Sequence, residues 1–185
     1  MPKRGRSDGL TGGTGDVSPQ WMSFAAVQSA ADVATTTTQA VPVQRQNNRG
    51  KAQVMEALKV IFELPTFPAT ASAVEATDAH AIFLSTTSFG ATATVWSEPR
   101  VFAGWTRINQ GAFTAAGTYQ NAYDNTKEQD LTDGAGHGIL IATDNIFAQA
   151  NSTLTGLVNT FRIKLLYRWK NISLAEYIGI VQSQQ

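Results

Sequence analysis

The chain has 185 residues, with fourteen basic and fourteen acidic side chains and no cysteine. This composition excludes a disulfide framework and a thiolate metal site, and no apolar run approaches the roughly 18 residues that span a bilayer. The charge is nevertheless segregated: residues 1–51 and 157–185 each carry a net charge of +3, around a middle of −6. A strongly basic nucleic-acid binder would not be neutral overall, whereas a protein whose inner and outer surfaces differ in charge could be.

Residues 1–51 are predicted to form an extended, polar N-terminal arm. They contain five glycines before residue 16, a threonine run at 35–38 and a polar segment at 44–51, a composition that buries little surface. Cationic arms bind phosphates without reading sequence, and the first basic run is also typical of a weak nuclear import signal. The nucleic-acid contacts predicted in this arm are Lys3, Arg4, Arg6, Arg45, Arg49 and Lys51.

One segment of the arm, residues 21–27, is apolar and contains two aromatic side chains three positions apart. We expect it to dock as a short helix or strand, either on the body of its own subunit or on a neighbouring subunit. Trp21 and Phe24 are therefore the predicted assembly contacts.

Residues 52–185 are predicted to form a single all-β domain, because runs rich in Val, Ile, Thr and aromatic residues are separated there by Gly, Pro, Asn and Asp. The first run also contains good helix formers, but Val54, Leu58, Val60, Phe62 and Leu64 share one parity, which favours a strand. The eight predicted strands are residues 52–64, 79–88, 91–98, 100–108, 112–120, 138–148, 157–170 and 173–182.

The segment 160–170 has the strongest strand pattern in the chain. Its odd positions are apolar from Phe161 to Trp169, and its even positions are basic except for Leu166. Successive side chains of a strand point to opposite faces, so the odd set should enter a sheet core. The cationic face should meet either carboxylates of neighbouring strands or the phosphates of a nucleic acid. Its members, added to the predicted nucleic-acid contacts, are Arg162, Lys164, Arg168 and Lys170.

Eight strands without a helix long enough for a βαβ unit predict a sandwich or barrel. We expect a single eight-stranded antiparallel jelly roll with an extended N-terminal arm, which is the commonest solution for eight strands.

Neither histidine is accompanied by a catalytic signature, and no catalytic residue, metal ligand or cofactor is predicted. His137 lies in a Gly-Ala-Gly-His-Gly segment and is expected to pack or cap locally in a tight turn. The acidic loop 121–137 does not have the spacing of an EF-hand. A calcium ion at a subunit contact is the alternative that this loop leaves open.

The chain resembles the coat proteins of circovirus-like viruses, which have small circular single-stranded DNA genomes. The resemblance is in the start Met-Pro-Lys-Arg-Gly-Arg, in a single eight-stranded body after a polar arm, and in the strings at 136–147, 166–170 and 176–184. The last strings are most similar to those of unclassified environmental members. The arm departs from the family pattern, which is long and densely Arg-rich.

The resemblance implies a structural capsid protein, not an enzyme, that self-assembles into a small T=1 icosahedral shell around the genome. Its partners would be further copies of itself and, through nonspecific basic contacts, a genome expected to be single-stranded DNA, with no membrane involved. The protein would be found in the virion and, during assembly, in the host nucleus. The alternative is a carbohydrate- or receptor-binding β-sandwich without a role in a shell.

Overall fold

The computed structural model describes residues 18–41, 51–65, 77–90, 97–110, 125–153 and 155–184. Nine strands and one helix lie in these ranges. They are β1 (Gln20–Val27), β2 (Thr35–Ala40), β3 (Lys51–Glu63), β4 (Thr77–Ser85), β5 (Val101–Gln110), β6 (Thr126–Asp130), β7 (Ile139–Ile141), β8 (Asn145–Thr153), β9 (Thr160–Ser173) and α1 (Leu174–Gln184).

The strands form two antiparallel sheets that enclose one core. One sheet has the order β1-β9-β3-β6, with β7 also paired to β3, and the other has the order β2-β8-β4-β5. Consecutive strands therefore alternate between sheets over much of the chain, which is the double Greek key of a jelly roll. The predicted fold class is confirmed.

The predicted core face of β9 is also confirmed. Phe161, Ile163, Leu165, Tyr167 and Trp169 are each at most 5% exposed and belong to the core between the sheets. The even-numbered side chains lie on the outer face of the same sheet. Period-two alternation is thus sufficient to orient this strand.

Two strands come from the segment assigned to the arm. β1 pairs with β9, and β2 pairs with β8, so each forms one edge of a sheet. Of the two predicted docking places for the apolar segment 21–27, its own subunit or a neighbouring one, the structure shows the first, as a strand paired with β9. Residues 1–17 and 42–50 lie outside the described residues, and the domain boundary at residue 51 stays a prediction.

A polar corner fixes the position of β1. Asp32 has a positive φ of 55° in the turn between β1 and β2, and its carboxylate accepts hydrogen bonds from the backbone N–H groups of Thr155 (2.9 Å) and Gly156 (3.0 Å). Beside it, Gln28 N donates to Asn159 O at 3.1 Å and continues the β1–β9 ladder. The turn is therefore anchored to the loop that precedes β9.

The last predicted strand, residues 173–182, is wrong, because this segment forms the helix α1. Ser173 caps the helix by accepting a hydrogen bond from the Glu176 N–H at 3.2 Å. Ser173-x-x-Glu176 is the spacing of a capping box. Tyr177, Ile180 and Val181 lie half-buried on one side of the helix, but no residue of α1 is fully buried.

Two further strand predictions differ from the structure. The run 138–148 is divided at residues 142–144, because β7 belongs to one sheet and β8 to the other, so the chain crosses between sheets there. In β3, the register shifts between Ala57 and Lys59, so the core-facing parity changes from odd to even at Leu58. The predicted strand 112–120 and most of 91–98 lie outside the described residues.

Candidate nucleic-acid and assembly surfaces

The outer face of β9 holds the four basic residues that the sequence pattern singles out. Arg162 and Lys164 are exposed, whereas Arg168 and Lys170 are half-buried. β3 lies beside them in antiparallel register, with Glu63 opposite Arg162 and Glu56 opposite Arg168. The acidic partners of this face are thus built into the neighbouring strand.

Glu56 is a fully buried carboxylate that neutralises one end of the basic face. Arg168 Nε donates a short hydrogen bond to Oε2, and Lys170 Nζ donates to Oε1 at 3.2 Å. Gly138 N also donates to Oε1, at 3.0 Å. Burial alone would raise the pKa of Glu56, but hydrogen bonds from Arg168, Gly138 and Lys170 outweigh it and hold the pKa below its usual value.

The glycine loop before β7 completes this cluster. Arg168 Nη2 donates to the Gly136 carbonyl at 3.1 Å. A Cβ at Gly138 would lie 2.1 Å from the Ala57 carbonyl oxygen, so only glycine fits against β3 there. Arg168 and Lys170 are therefore held by a built intramolecular site.

The other end of the basic face is open. Arg162 Nη1 lies 2.8 Å from Glu63 Oε1, but the two side chains are 65% and 50% exposed, and such surface pairs contribute little. Lys164 has no carboxylate within ion-pairing distance among the described residues. Arg162 and Lys164 are the members of β9 that remain accessible to an outside anion.

A surface groove of about 550 Å³ lies next to these two cations. It crosses the sheet from β1 (Ser23, Phe24, Ala25) to the first residue of β6, and its lining is mostly apolar. Lys51, at the start of β3, is exposed and is registered opposite Ser173, near the other end of β9. Lys3, Arg4, Arg6, Arg45 and Arg49 lie outside the described residues, so their predicted contacts stay predictions.

The two predicted assembly aromatics lie on opposite faces of β1. Phe24 is half-buried against the core of its own subunit, opposite Ile163. Trp21 is 50% exposed on the outer face, in register with Leu166. Leu166, the one apolar residue among the even positions of 160–170, therefore lies beside Trp21, and together they form an apolar part of the outer surface. Of the two, Trp21 is the side chain available to a neighbouring molecule.

The histidines occupy structural positions. His137 Nδ1 lies 3.0 Å from Asp133 Oδ2, and Asp133 also accepts the N–H groups of Ala135 and His137, which closes the local turn. His80 is fully buried between the sheets, with its Nδ1 3.2 Å from an Arg107 guanidinium nitrogen. Burial and the Arg107 charge lower the pKa of His80 to about 4.

The described residues contain no group of three or more His, Cys, Asp or Glu side chains that could hold a metal ion. Within the same part of the chain, no helix is both long and apolar enough to cross a membrane.

Sequence reasoning missed Glu56 as the partner of Arg168 and Lys170. One signal could have found it: Glu56 is the single carboxylate between residues 52 and 62, in an otherwise largely apolar run. A charge buried in such a strand requires a partner of opposite sign.

The jelly roll of this chain is similar to that of polyomavirus VP1, a viral capsid protein. VP1 of Trichodysplasia spinulosa-associated polyomavirus, solved in complex with GM1 oligosaccharide, aligns with a TM-score of 0.57 over 89% of this chain and 97% of that chain, at 10% identity. Human Polyomavirus 12 VP1, in complex with 3'-sialyllactosamine, aligns with a TM-score of 0.51 over 84% and 100% of the two chains, at 10% identity. At such identities the likeness establishes the fold. No family model and no curated protein sequence matches the chain.

Proposed function

We propose that this protein is a structural viral capsid protein that self-assembles into a closed shell. The observation that carries the proposal is the two-sheet jelly roll of the described residues. It aligns with nearly the whole length of the VP1 chain, 97% in the first of the similar structures. A closed symmetric shell repeats one set of contacts many times, so a small chain can build a large container. The sequence resemblance to circovirus-like coat proteins supports the same role independently.

The finer form of the proposal is a T=1 icosahedral shell of a small circovirus-like single-stranded DNA virus. It rests on the resemblance of the N-terminal and C-terminal strings and on the single-jelly-roll length of the chain. The protein would then be located in the virion and, during assembly, in the host nucleus.

Genome contact is proposed to be nonspecific and to involve fewer residues of β9 than the sequence pattern predicts. Arg168 and Lys170 are bound to the buried Glu56, so they have little capacity left for phosphates. Lys164, with Arg162 beside it, is the part of this strand best placed for an anion. The remaining contacts would come from the basic residues between Lys3 and Lys51.

A glycan-binding role without a shell is the second candidate. It is favoured by the similar VP1 structures, which hold GM1 oligosaccharide or 3'-sialyllactosamine. If the purified protein remained a monomer and bound a sialylated oligosaccharide, this candidate would replace the shell.

Electron microscopy of purified full-length protein, combined with size-exclusion chromatography, tests the proposed function. Uniform closed particles are expected in physiological salt. A monodisperse monomer at high protein concentration would refute the shell.

A further inference from the structure

β1 is an edge strand that lacks the usual protection against pairing. Its eight residues, Gln20–Val27, contain neither a charge nor a proline, although exposed edges are normally protected by such residues. β6, at the other end of the same sheet, contains Lys127, Glu128 and Asp130 within five residues. The two ends of one sheet therefore differ, and the uncharged end is the one suited to a partner strand.

The backbone of β1 is oriented for such pairing. Gln28 N donates to Asn159 O, and hydrogen-bonded pairs alternate along an antiparallel ladder. The backbone N–H and C=O groups of the even-numbered residues Met22, Phe24 and Ala26 therefore hydrogen-bond to β9. The odd-numbered residues from Trp21 to Val27 direct their N–H and C=O groups away from β9, and β9 is the only strand paired with β1 among the described residues.

We propose that β1 pairs antiparallel with β1 of a second copy of this chain, about a two-fold axis at Phe24. This contact rests on the proposed shell function and specifies one of the contacts within it. Opposed residues share a face in an antiparallel pair, so odd positions must oppose odd positions. Centring on Phe24 satisfies this rule and places all residues from 21 to 27 in the ladder.

The side chains of β1 are self-complementary in this register. Trp21 opposes Val27 on the outer face, and these side chains are 50% and 48% exposed in the subunit. On the inner face the long Met22 opposes the small Ala26. Ser23 opposes Ala25 on the outer face, next to the pair of Trp21 and Val27. Every large side chain except Phe24, which lies at the axis, therefore meets a smaller one.

A second copy fits β1 better than an unrelated strand does. The strand has no charge with which to select a basic or acidic peptide, whereas its size pattern is complementary to itself when reversed. A two-fold contact uses the same patch on both subunits. Pairing would join two sheets of the order β1-β9-β3-β6 into one continuous sheet across the axis.

Disulfide trapping tests the register, because the natural chain contains no cysteine. Phe24→Cys would place two thiols across the axis in a non-hydrogen-bonded pair, where Cα atoms are about 4.5 Å apart and within disulfide range. Met22→Cys is the matched control: it lies on the same face but opposes Ala26, so its thiols would be roughly 13 Å apart along the strand. Mild oxidation of the assembled protein should cross-link most of Phe24→Cys and almost none of Met22→Cys.

A second pair of variants covers the case in which Phe24→Cys fails to fold. Trp21→Cys and Val27→Cys lie on the exposed face, and neither should cross-link alone. Coassembled in equal amounts, they should give a disulfide-linked heterodimer on a non-reducing gel. Equal cross-linking of Met22→Cys and Phe24→Cys, or no cross-link in the mixture, would overturn the β1 pairing.

The outcomes separate this contact from the proposed function. Wild-type shells without the Phe24 and mixed cross-links would leave the shell standing and refute the pairing. If the wild-type protein is a monomer, the shell is refuted. If the Phe24→Cys and mixed cross-links also fail to form in concentrated monomer, the β1 pairing is refuted as well.

Discussion

Replacing Arg168 with Ala should destabilise the subunit far more than replacing Arg162, although both are arginines on the outer face of β9. Glu56 is completely buried and accepts hydrogen bonds from Arg168, Lys170 and Gly138. Removing one partner of a buried ion pair costs about 3–5 kcal/mol, because the remaining charge stays buried. Since Lys170 stays and Arg168 is 26% exposed in its side chain, we expect the lower end, about 3 kcal/mol.

Arg162→Ala is the matched control. Its ion pair with Glu63 is mostly exposed, and such pairs contribute about 0–1 kcal/mol. Urea denaturation of dissociated subunits, followed by circular dichroism, measures both free energies of unfolding. If the free energy of unfolding of Arg168→Ala were within about 0.5 kcal/mol of the wild-type value, or if both variants lost equal stability, the buried-carboxylate account would be wrong.

The remaining predictions concern the core, pH and nucleic acid. Trp169→Ala should cost about 3–5 kcal/mol in urea denaturation, as large-to-small core changes do, and a loss below about 1 kcal/mol would contradict its buried placement. Burial and the Arg107 charge lower the pKa of His80 from its usual 6.5 to about 4, so the unfolded chain binds a proton before the folded chain does as the pH falls. The stability that neutral His80 contributes should therefore be fully present above pH 6.5 and about 3 kcal/mol smaller at pH 4. His80→Asn should flatten that part of the pH profile, and an unchanged profile would contradict the assignment. Lys164→Ala should lower salt-dependent binding to single-stranded DNA more than Lys170→Ala does, whereas equal losses in a salt titration would remove the distinction between the two ends of β9.

A deletion that tests the basic N-terminal residues must leave β1 and β2 in place. Deleting residues 1–51 would remove β1 and β2 and expose both sheets, so it does not isolate an arm. Deletion of residues 1–17 leaves every described strand in place and removes Lys3, Arg4 and Arg6. Particles that package as much nucleic acid without these residues would show that this basic run is dispensable for packaging.

Local patterns that repeat along one element were readable from the sequence. The alternation in β9 predicted both its core face and its outward cations, because the period of a strand depends only on local geometry. The all-β jelly roll followed from the number of such runs. The prediction of a strand at the position of α1 is wrong because the apolar positions of this segment fit both structures, and the Ser173 cap is the better signal.

Features that depend on contacts between distant segments were not readable in the same way. The bulge at Leu58 changes the core parity inside β3, and the crossing at 142–144 moves the chain between sheets. The pairing of Glu56 with Arg168 joins positions 112 residues apart. The docking of residues 21–27 is predicted from their apolar side chains, but β2 is not, because its sequence of four threonines, a glutamine and an alanine has no apolar face.

The mass of the purified full-length protein in solution tests the central claim most directly. Analytical ultracentrifugation over a range of concentrations should find a uniform closed particle, which for a T=1 shell of sixty 19.8 kDa copies is about 1.2 MDa. A single species at 19.8 kDa at every concentration would contradict the account.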